Sequence, residues 1–265
     1  MPMTLVGDIN VYYEVLGQGE PLLMIMGLAG NMLDWGPIMP ARLAERYQVI
    51  LFDNRGAGRT DQPPGPYTMA QMADDAVGLL DALEIERAHV FGVSMGGMIA
   101  QHAALDHAER LRKLILGCTM PGGTHAVSAA PEVLVYLTPR PDLDPFEAAV
   151  LGLPVGYTPE FIAANRAMLE EHLRIGRQHP TQLHAYESQI MAVMNTHDTY
   201  DRLPQLQAPT LVLTGSRDVL IPPENSRILA ERIPGAQLRE IAEAGHVFWV
   251  SHPDETLAEV SAFLG

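Results

Sequence analysis

Cysteine is nearly absent: Cys118 is the single one in 265 residues. That excludes an internal disulfide framework and fits a reducing compartment. It ends the apolar run Leu114-Ile115-Leu116-Gly117-Cys118, where a small buried thiol is expected rather than a reactive one. Basic residues are scarce too, 17 against 32 acidic, for a formal charge of −15. A surface of that sign repels phosphate backbones and anionic lipid headgroups, so neither nucleic acid nor a membrane surface is an expected partner. No apolar run approaches the roughly 18 residues a membrane-spanning helix needs. Met1-Pro2-Met3-Thr4 has no basic n-region followed by an apolar h-region, so a signal peptide is not expected and a cytoplasmic location is. There is no H-E-x-x-H and no cysteine–histidine cluster, and Gly56 and Gly58 do not complete G-x-G-x-x-G. Neither a metal nor any other cofactor is therefore expected. Internal repeats and low-complexity segments are missing as well.

What remains is a chain with 47% hydrophobic and 18% charged residues, the balance of a globular protein with a sizeable core. Short apolar runs alternate with longer amphipathic ones, the pattern of parallel strands joined by helices. Strands are predicted at Leu22–Met26, Val49–Phe52, His89–Val93, Lys113–Leu116, Thr210–Leu213 and Ala236–Ile241. They are almost continuously apolar, as strands covered on both faces must be. Helices fit over Met69–Leu83, Gly97–Leu105, Glu224–Ile233 and Asp254–Phe263. Thr4–Leu16 alternates like an antiparallel hairpin turning at Gly7-Asp8. From about Pro121 to Tyr200 the rhythm breaks: a proline-rich stretch is followed by helical segments at Pro159–Ile175 and Pro180–Met194. The predicted organisation is a core over residues 1–120 and 201–265 with a helical cap, residues 121–200, inserted between two core strands.

Gly92-Val93-Ser94-Met95-Gly96 is a G-x-S-x-G pentapeptide. A strand precedes it and Gly97-Met98-Ile99-Ala100-Gln101 begins a helix, the strand–turn–helix setting of a nucleophile elbow. The glycines are needed because side chains two residues either side of Ser94 would collide with the neighbouring strand and helix. The helix N-terminus behind Ser94 favours negative charge developing there. A serine hydroxyl needs a base within hydrogen-bond reach, and in such an elbow the acid and then the histidine follow the serine along the chain. His246, in Glu243-Ala244-Gly245-His246, follows the last strand and is the candidate base. The other nine histidines are less well placed: among them, His89 falls in a strand, His102 and His107 in or after the elbow helix, and His172, His179, His184 and His197 in the cap. Asp218, just past Thr210–Leu213, is the candidate acid that holds the imidazole tautomer. No carboxylate ends the preceding strand. Asp53 also ends a strand, but its place before Asn54-Arg55-Gly56 suggests that it braces a loop. An oxyanion hole needs two backbone N–H groups, and Leu28 and Met95 are placed to supply them.

Taken together, Met26-Gly27-Leu28-Ala29-Gly30, Trp35, Phe52-Asp53-Asn54-Arg55-Gly56-Ala57-Gly58-Arg59-Thr60-Asp61, Gly92-Val93-Ser94-Met95-Gly96-Gly97, Gly215-Ser216-Arg217-Asp218 and Gly245-His246 resemble the α/β-hydrolase superfamily. Within it the likeness is to enol-lactonase-like and small carboxylic-ester hydrolases. The resemblance implies an α/β-hydrolase fold, with a mostly parallel central sheet flanked by helices, and acyl transfer to water through Ser94, His246 and Asp218. Relatives often carry His-Gly at the oxyanion loop where this chain has Met26-Gly27, a change that leaves the backbone donor in place.

A substrate pocket is expected between elbow and cap, lined by Leu28, Trp35, Met120, Met168, Met191, Met194 and Phe248. Met191 and Met194 stand at helical spacing and read first as a stripe that packs the cap on the core, although thioethers also suit an adaptable apolar pocket. The expected partner is a small apolar ester or lactone. Three other readings share these motifs: a hydrolase of carbon–carbon bonds in ring-cleavage products, a cofactor-free perhydrolase, and a non-catalytic ligand receptor. Perhydrolases of this type often carry tryptophan where this chain has Leu28, and receptors usually have a damaged triad. Dehalogenases and epoxide hydrolases need an aspartate nucleophile, and position 94 is serine.

Overall fold

The computed structural model describes residues 2–265. Eight strands form one sheet in the order β1-β2-β4-β3-β5-β6-β7-β8. They are β1 (Met3–Val6), β2 (Ile9–Leu16), β3 (Glu20–Ile25), β4 (Tyr47–Phe52), β5 (Ala88–Val93), β6 (Leu111–Gly117), β7 (Thr210–Gly215) and β8 (Gln237–Ile241). β1 and β2 are an antiparallel hairpin whose register, Val6 opposite Ile9, leaves Gly7-Asp8 as the turn. β2 also runs antiparallel to β4, and every later pairing is parallel.

The alternation of strand side chains divides the interior in two. Leu23, Ile25, Ile50, Phe52, Val90, Leu114 and Leu116 enter one apolar cluster. Leu22, Met24, Val49, Leu51, Phe91, Ile115, Leu211 and Leu213 enter the other. Neighbouring residues of one strand thus support opposite layers, which is why these strands show no polar face. One cluster is covered by α2 (Met69–Ala82), α3 (Met95–Asp106) and α9 (Pro223–Arg232). The other is covered by α1 (Ile38–Leu43), α10 (Phe248–Ser251) and α11 (Pro253–Leu264).

Between β6 and β7 the chain leaves the sheet for five helices: α4 (Pro131–Leu134), α5 (Pro145–Leu151), α6 (Leu153–Gly156), α7 (Pro159–Gly176) and α8 (Leu183–Thr196). α8 begins three residues later than the sequence predicts. Thr181 is occupied there, its hydroxyl donating to the Ala29 carbonyl 3.0 Å away. This segment has a small cluster of its own, Leu153, Tyr157 and Leu169. Its two ends meet where Gly122 bridges Asp198. Among the described residues no helix is long and apolar enough to cross a membrane.

Candidate active site

β5 ends at Val93 and α3 starts at Met95, so the whole reversal falls on Ser94. Its backbone has φ 55° and ψ −124°, a region that non-glycine residues occupy only when their surroundings over-determine it. The surroundings here are explicit. A Cβ on Gly92 would stand 2.2 Å from the Gly96 carbonyl oxygen, and one on Gly96 would stand 2.1 Å from that of Ile25. The Ser94 N–H donates to the Gly117 carbonyl at 2.9 Å, and its own carbonyl accepts from the Thr119 hydroxyl at 2.8 Å. Strand β6 therefore holds the elbow from the side.

Asp218 and His246 come from the loops after β7 and β8, which are parallel neighbours. The two loops are fastened together: Arg217 N–H donates to the Ala244 carbonyl and Glu243 N–H to the Ser216 hydroxyl, both at 2.9 Å. His246 Nδ1 lies 2.7 Å from Asp218 Oδ2. The other oxygen, Oδ1, accepts the Leu220 and Ile221 N–H groups at 2.9 Å each. The carboxylate is thus fully directed, with one oxygen for its own loop and one for the imidazole. Burial opposes a charge on His246, but the facing Asp218 carboxylate outweighs it and raises the imidazole well above its usual value.

The loop after β3 passes in front of Ser94, where a Cβ on Gly27 would lie 3.0 Å from the serine Cβ. Among the described residues the Leu28 and Met95 N–H groups have no protein acceptor, whereas the Ala29 N–H donates to Gln189 Oε1 at 2.8 Å. Asp53 is buried beneath this loop, accepting the Met32 and Arg59 N–H groups at 2.8 Å each. Asn54 Nδ2 donates to the Met26 carbonyl at 2.8 Å.

The residues expected to line a pocket are scattered, and several of those expectations need correction. Trp35 is 1% exposed and packs its ring on Phe91 and Trp249, with centroids 5.0 and 5.5 Å away. Phe248 is fully buried in the same cluster, against Gly117. Both are core residues, since a large aromatic at a helix–sheet seam gains more by filling that seam than by facing a cleft. Met191 and Met194 neither line the site nor pack the insertion on the core. α8 buries Ala185, Gln189 and Ala192, which turns Met194 (72% exposed) and Met191 (49% exposed) outward. Met168, 42% exposed, lies on the flank of the α7 face that buries Leu169 and His172. Leu28 and Met120 alone of that set are half-buried beside the elbow.

Cys118 is buried and its thiol is pushed up by that burial, in keeping with an unreactive thiol. Its Sγ nevertheless stands within 4.8 Å of ligating atoms of both Asp218 and His246, a proximity that its place in an apolar run did not reveal. Sequence reasoning also passed over Gln189 and Thr181. Neither belongs to a motif, and a glutamine in an amphipathic helix looks like a solvent residue until its neighbours are known.

The family model described as alpha/beta hydrolase fold matches residues 20–253. RutD of Azorhizobium caulinodans, provisionally named a carbamate hydrolase, is 34% identical over 263 residues, covering 96% of this chain and 94% of its own. A poly(3-hydroxyalkanoate) depolymerase of Ectopseudomonas oleovorans is 32% identical over 250 residues, covering 92% of this chain and 84% of its own. Among solved structures, the enol-lactonase of Burkholderia xenovorans LB400 superposes with a TM-score of 0.88 at 28% identity and covers 99% of each chain.

Proposed function

The chain belongs to the alpha/beta hydrolase fold family, and we propose that within it this protein is a serine hydrolase of carboxylic esters or lactones. The observation that carries the reading is the strained Ser94 at the head of α3 combined with the 2.7 Å contact between His246 and Asp218. Ser94 Oγ attacks the carbonyl carbon while the neutral imidazole of His246 takes its proton through Nε2. The tetrahedral oxyanion accepts the Leu28 and Met95 N–H groups, which have no protein acceptor among the described residues. His246 then protonates the leaving alcohol, and water repeats the sequence on the acyl-enzyme. Asp218 keeps Nδ1 protonated and stabilises the imidazolium at each stage.

The names of the similar proteins support acyl transfer. A carbamate, a polyester and an enol-lactone all present a carbonyl carbon bonded to a heteroatom leaving group. With the other expected lining residues in the core or turned outward, Leu28 and Met120 are the apolar groups beside the elbow, which favours a small, uncharged acyl group.

The test is hydrolysis of p-nitrophenyl esters of increasing acyl length, with Ser94→Ala as control. The expected result is turnover with an optimum at short chains, falling about 10⁶-fold in the mutant. Turnover that survives Ser94→Ala sinks the serine mechanism. Hydrolysis of a vinylogous diketone in preference to esters would replace it with carbon–carbon cleavage, peroxide-dependent halogenation with a perhydrolase, and tight binding without turnover with a receptor.

A further inference from the structure

The insertion touches the loop after β3 through a small set of polar contacts, of which some reach Asn31 and Asp34 and two meet at Ala29. Gln189, on α8, is completely buried. Its Oε1 accepts the Ala29 N–H at 2.8 Å, and its Nε2 donates to the Arg55 carbonyl at 2.8 Å. The Ala29 carbonyl accepts the Thr181 hydroxyl at 3.0 Å. Ala29 itself has φ 56°, a left-handed conformation that a residue with a side chain adopts only at a cost. Both peptide planes flanking Ala29 are therefore fixed by side chains of the insertion.

The consequence falls on the residue before it. Leu28 N–H, the proposed oxyanion donor, sits between Ala29 and the Met26 carbonyl, which Asn54 Nδ2 holds at 2.8 Å. The Gly30 N–H closes the turn onto the Gly27 carbonyl at 3.2 Å. Asn54 is a core residue; Gln189 and Thr181 are not. Half of the scaffold that aims Leu28 at the oxyanion thus comes from the insertion. Arg55, the other partner of Gln189, is anchored by Asp75 at 2.8 Å, so the Gln189 amide spans a rigid point of the core and the loop to be positioned. A primary amide suits this place because both a donor and an acceptor are required. A hydrocarbon there would leave two buried backbone groups unpaired.

Building on the serine-hydrolase reading, we propose that Gln189 is a positioning residue for the oxyanion hole, and that the inserted helices are a working part of the catalytic apparatus as well as a cover over it. Docking of α8 sets the direction of the Leu28 N–H through Ala29.

Gln189→Leu, Gln189→Glu and Thr181→Val, compared with the wild type on one p-nitrophenyl ester, test this, with kcat, KM and thermal midpoint measured for each. Gln189→Leu is expected to lower kcat by about 10²-fold, the loss of one oxyanion donor, with KM nearly unchanged because the effect is confined to the transition state. Gln189→Glu keeps the acceptor for Ala29 but sets a carboxylate oxygen against the Arg55 carbonyl. It should recover kcat to within about tenfold of wild type while lowering the thermal midpoint as far as Gln189→Leu does. Thr181→Val should cost about fivefold in kcat. Activity thus follows the Ala29 contact and stability follows the Arg55 contact. The proposal is overturned if Gln189→Leu has normal kcat, if its loss appears in KM, or if kcat simply follows the thermal midpoint in both Gln189 variants. A wild type that neither hydrolyses esters nor is labelled at Ser94 by a fluorophosphonate overturns the serine-hydrolase reading, and this proposal with it. An active wild type with indifferent variants overturns this proposal alone.

Discussion

The sheet core and the inserted helices are built on different principles. In the core, the candidate residues stand at strand ends whose positions are set by alternating burial into two apolar layers. Ser94 directly follows β5, and Asp218 and His246 stand in the loops after β7 and β8. The insertion has only a small apolar cluster of its own and turns Leu134, Val135, Tyr136 and Leu151 outward. It packs on the core through a few apolar side chains, Ala192 on one side and Leu153, Tyr157 and Leu169 against Val247 and Val250 on another, and is pinned there by single polar contacts, such as Asn31 Nδ2 to the Gly176 carbonyl, Val247 N–H to the Gly156 carbonyl and the two bonds of Gln189. A region packed by burial resists change everywhere, whereas one attached by a few hydrogen bonds is sensitive at those points and tolerant between them.

The sharpest contrast is expected from Asp218→Asn. It should keep the fold and lower kcat about 10⁴-fold through the wrong imidazole tautomer, read from ester kinetics beside circular dichroism. Near-normal turnover would assign the acid to another carboxylate. Arg55→Ala comes next, because it strands the buried Asp75 carboxylate without its partner. A loss of roughly 3–5 kcal/mol in denaturant unfolding is expected, and a loss under 1 kcal/mol would show that water reaches Asp75.

Two histidines carry the comparison into pH. His197 closes the insertion, its Nε2 2.8 Å from the Met120 carbonyl. Burial pushes it down to about 4, with His102 adding to that effect. The unfolded chain takes up a proton that the folded chain refuses, so stability falls as pH drops from the ordinary imidazole value toward about 4. The loss is at most about 3 kcal/mol, and His197→Gln should remove that slope from unfolding measured between those pH values. His246 has the opposite sign. Its raised folded value adds stability below the ordinary imidazole range and loses it as pH climbs through the raised value. Activity moves the other way, since only the neutral ring accepts the serine proton. The kcat/KM profile should rise with a midpoint above 6.5, and Asp218→Asn should shift that midpoint down. A flat profile from pH 5 to 8 would remove His246 as base. The smallest effect is expected from Met194→Ala, on the outward face of α8: within about 0.5 kcal/mol and with unchanged kcat.

Much of this molecule could be read along the chain. The strands were legible because parallel strands between two layers must be continuously apolar. Ser94, Asp218 and His246 were legible as candidates because each is polar in the turn or loop after a predicted strand, with glycines where backbones touch. Trp35 and Phe248 were misread because an aromatic near a motif looks the same whether it faces a cleft or fills a seam. Met191 and Met194 were misread because helical spacing shows that two residues share a face without showing which way the face points. Those errors have one source. The order of residues determines local conformation and which groups lie at element ends, since these follow from alternation, sterics and short-range hydrogen bonding. Which helix face meets the core, that Cys118 lies against the Asp218–His246 pair, and that a glutamine 160 residues away holds the Ala29 N–H were decided only when distant segments packed. Contacts of that range depend on the shape of both partners, and the sequence of either one does not contain the other.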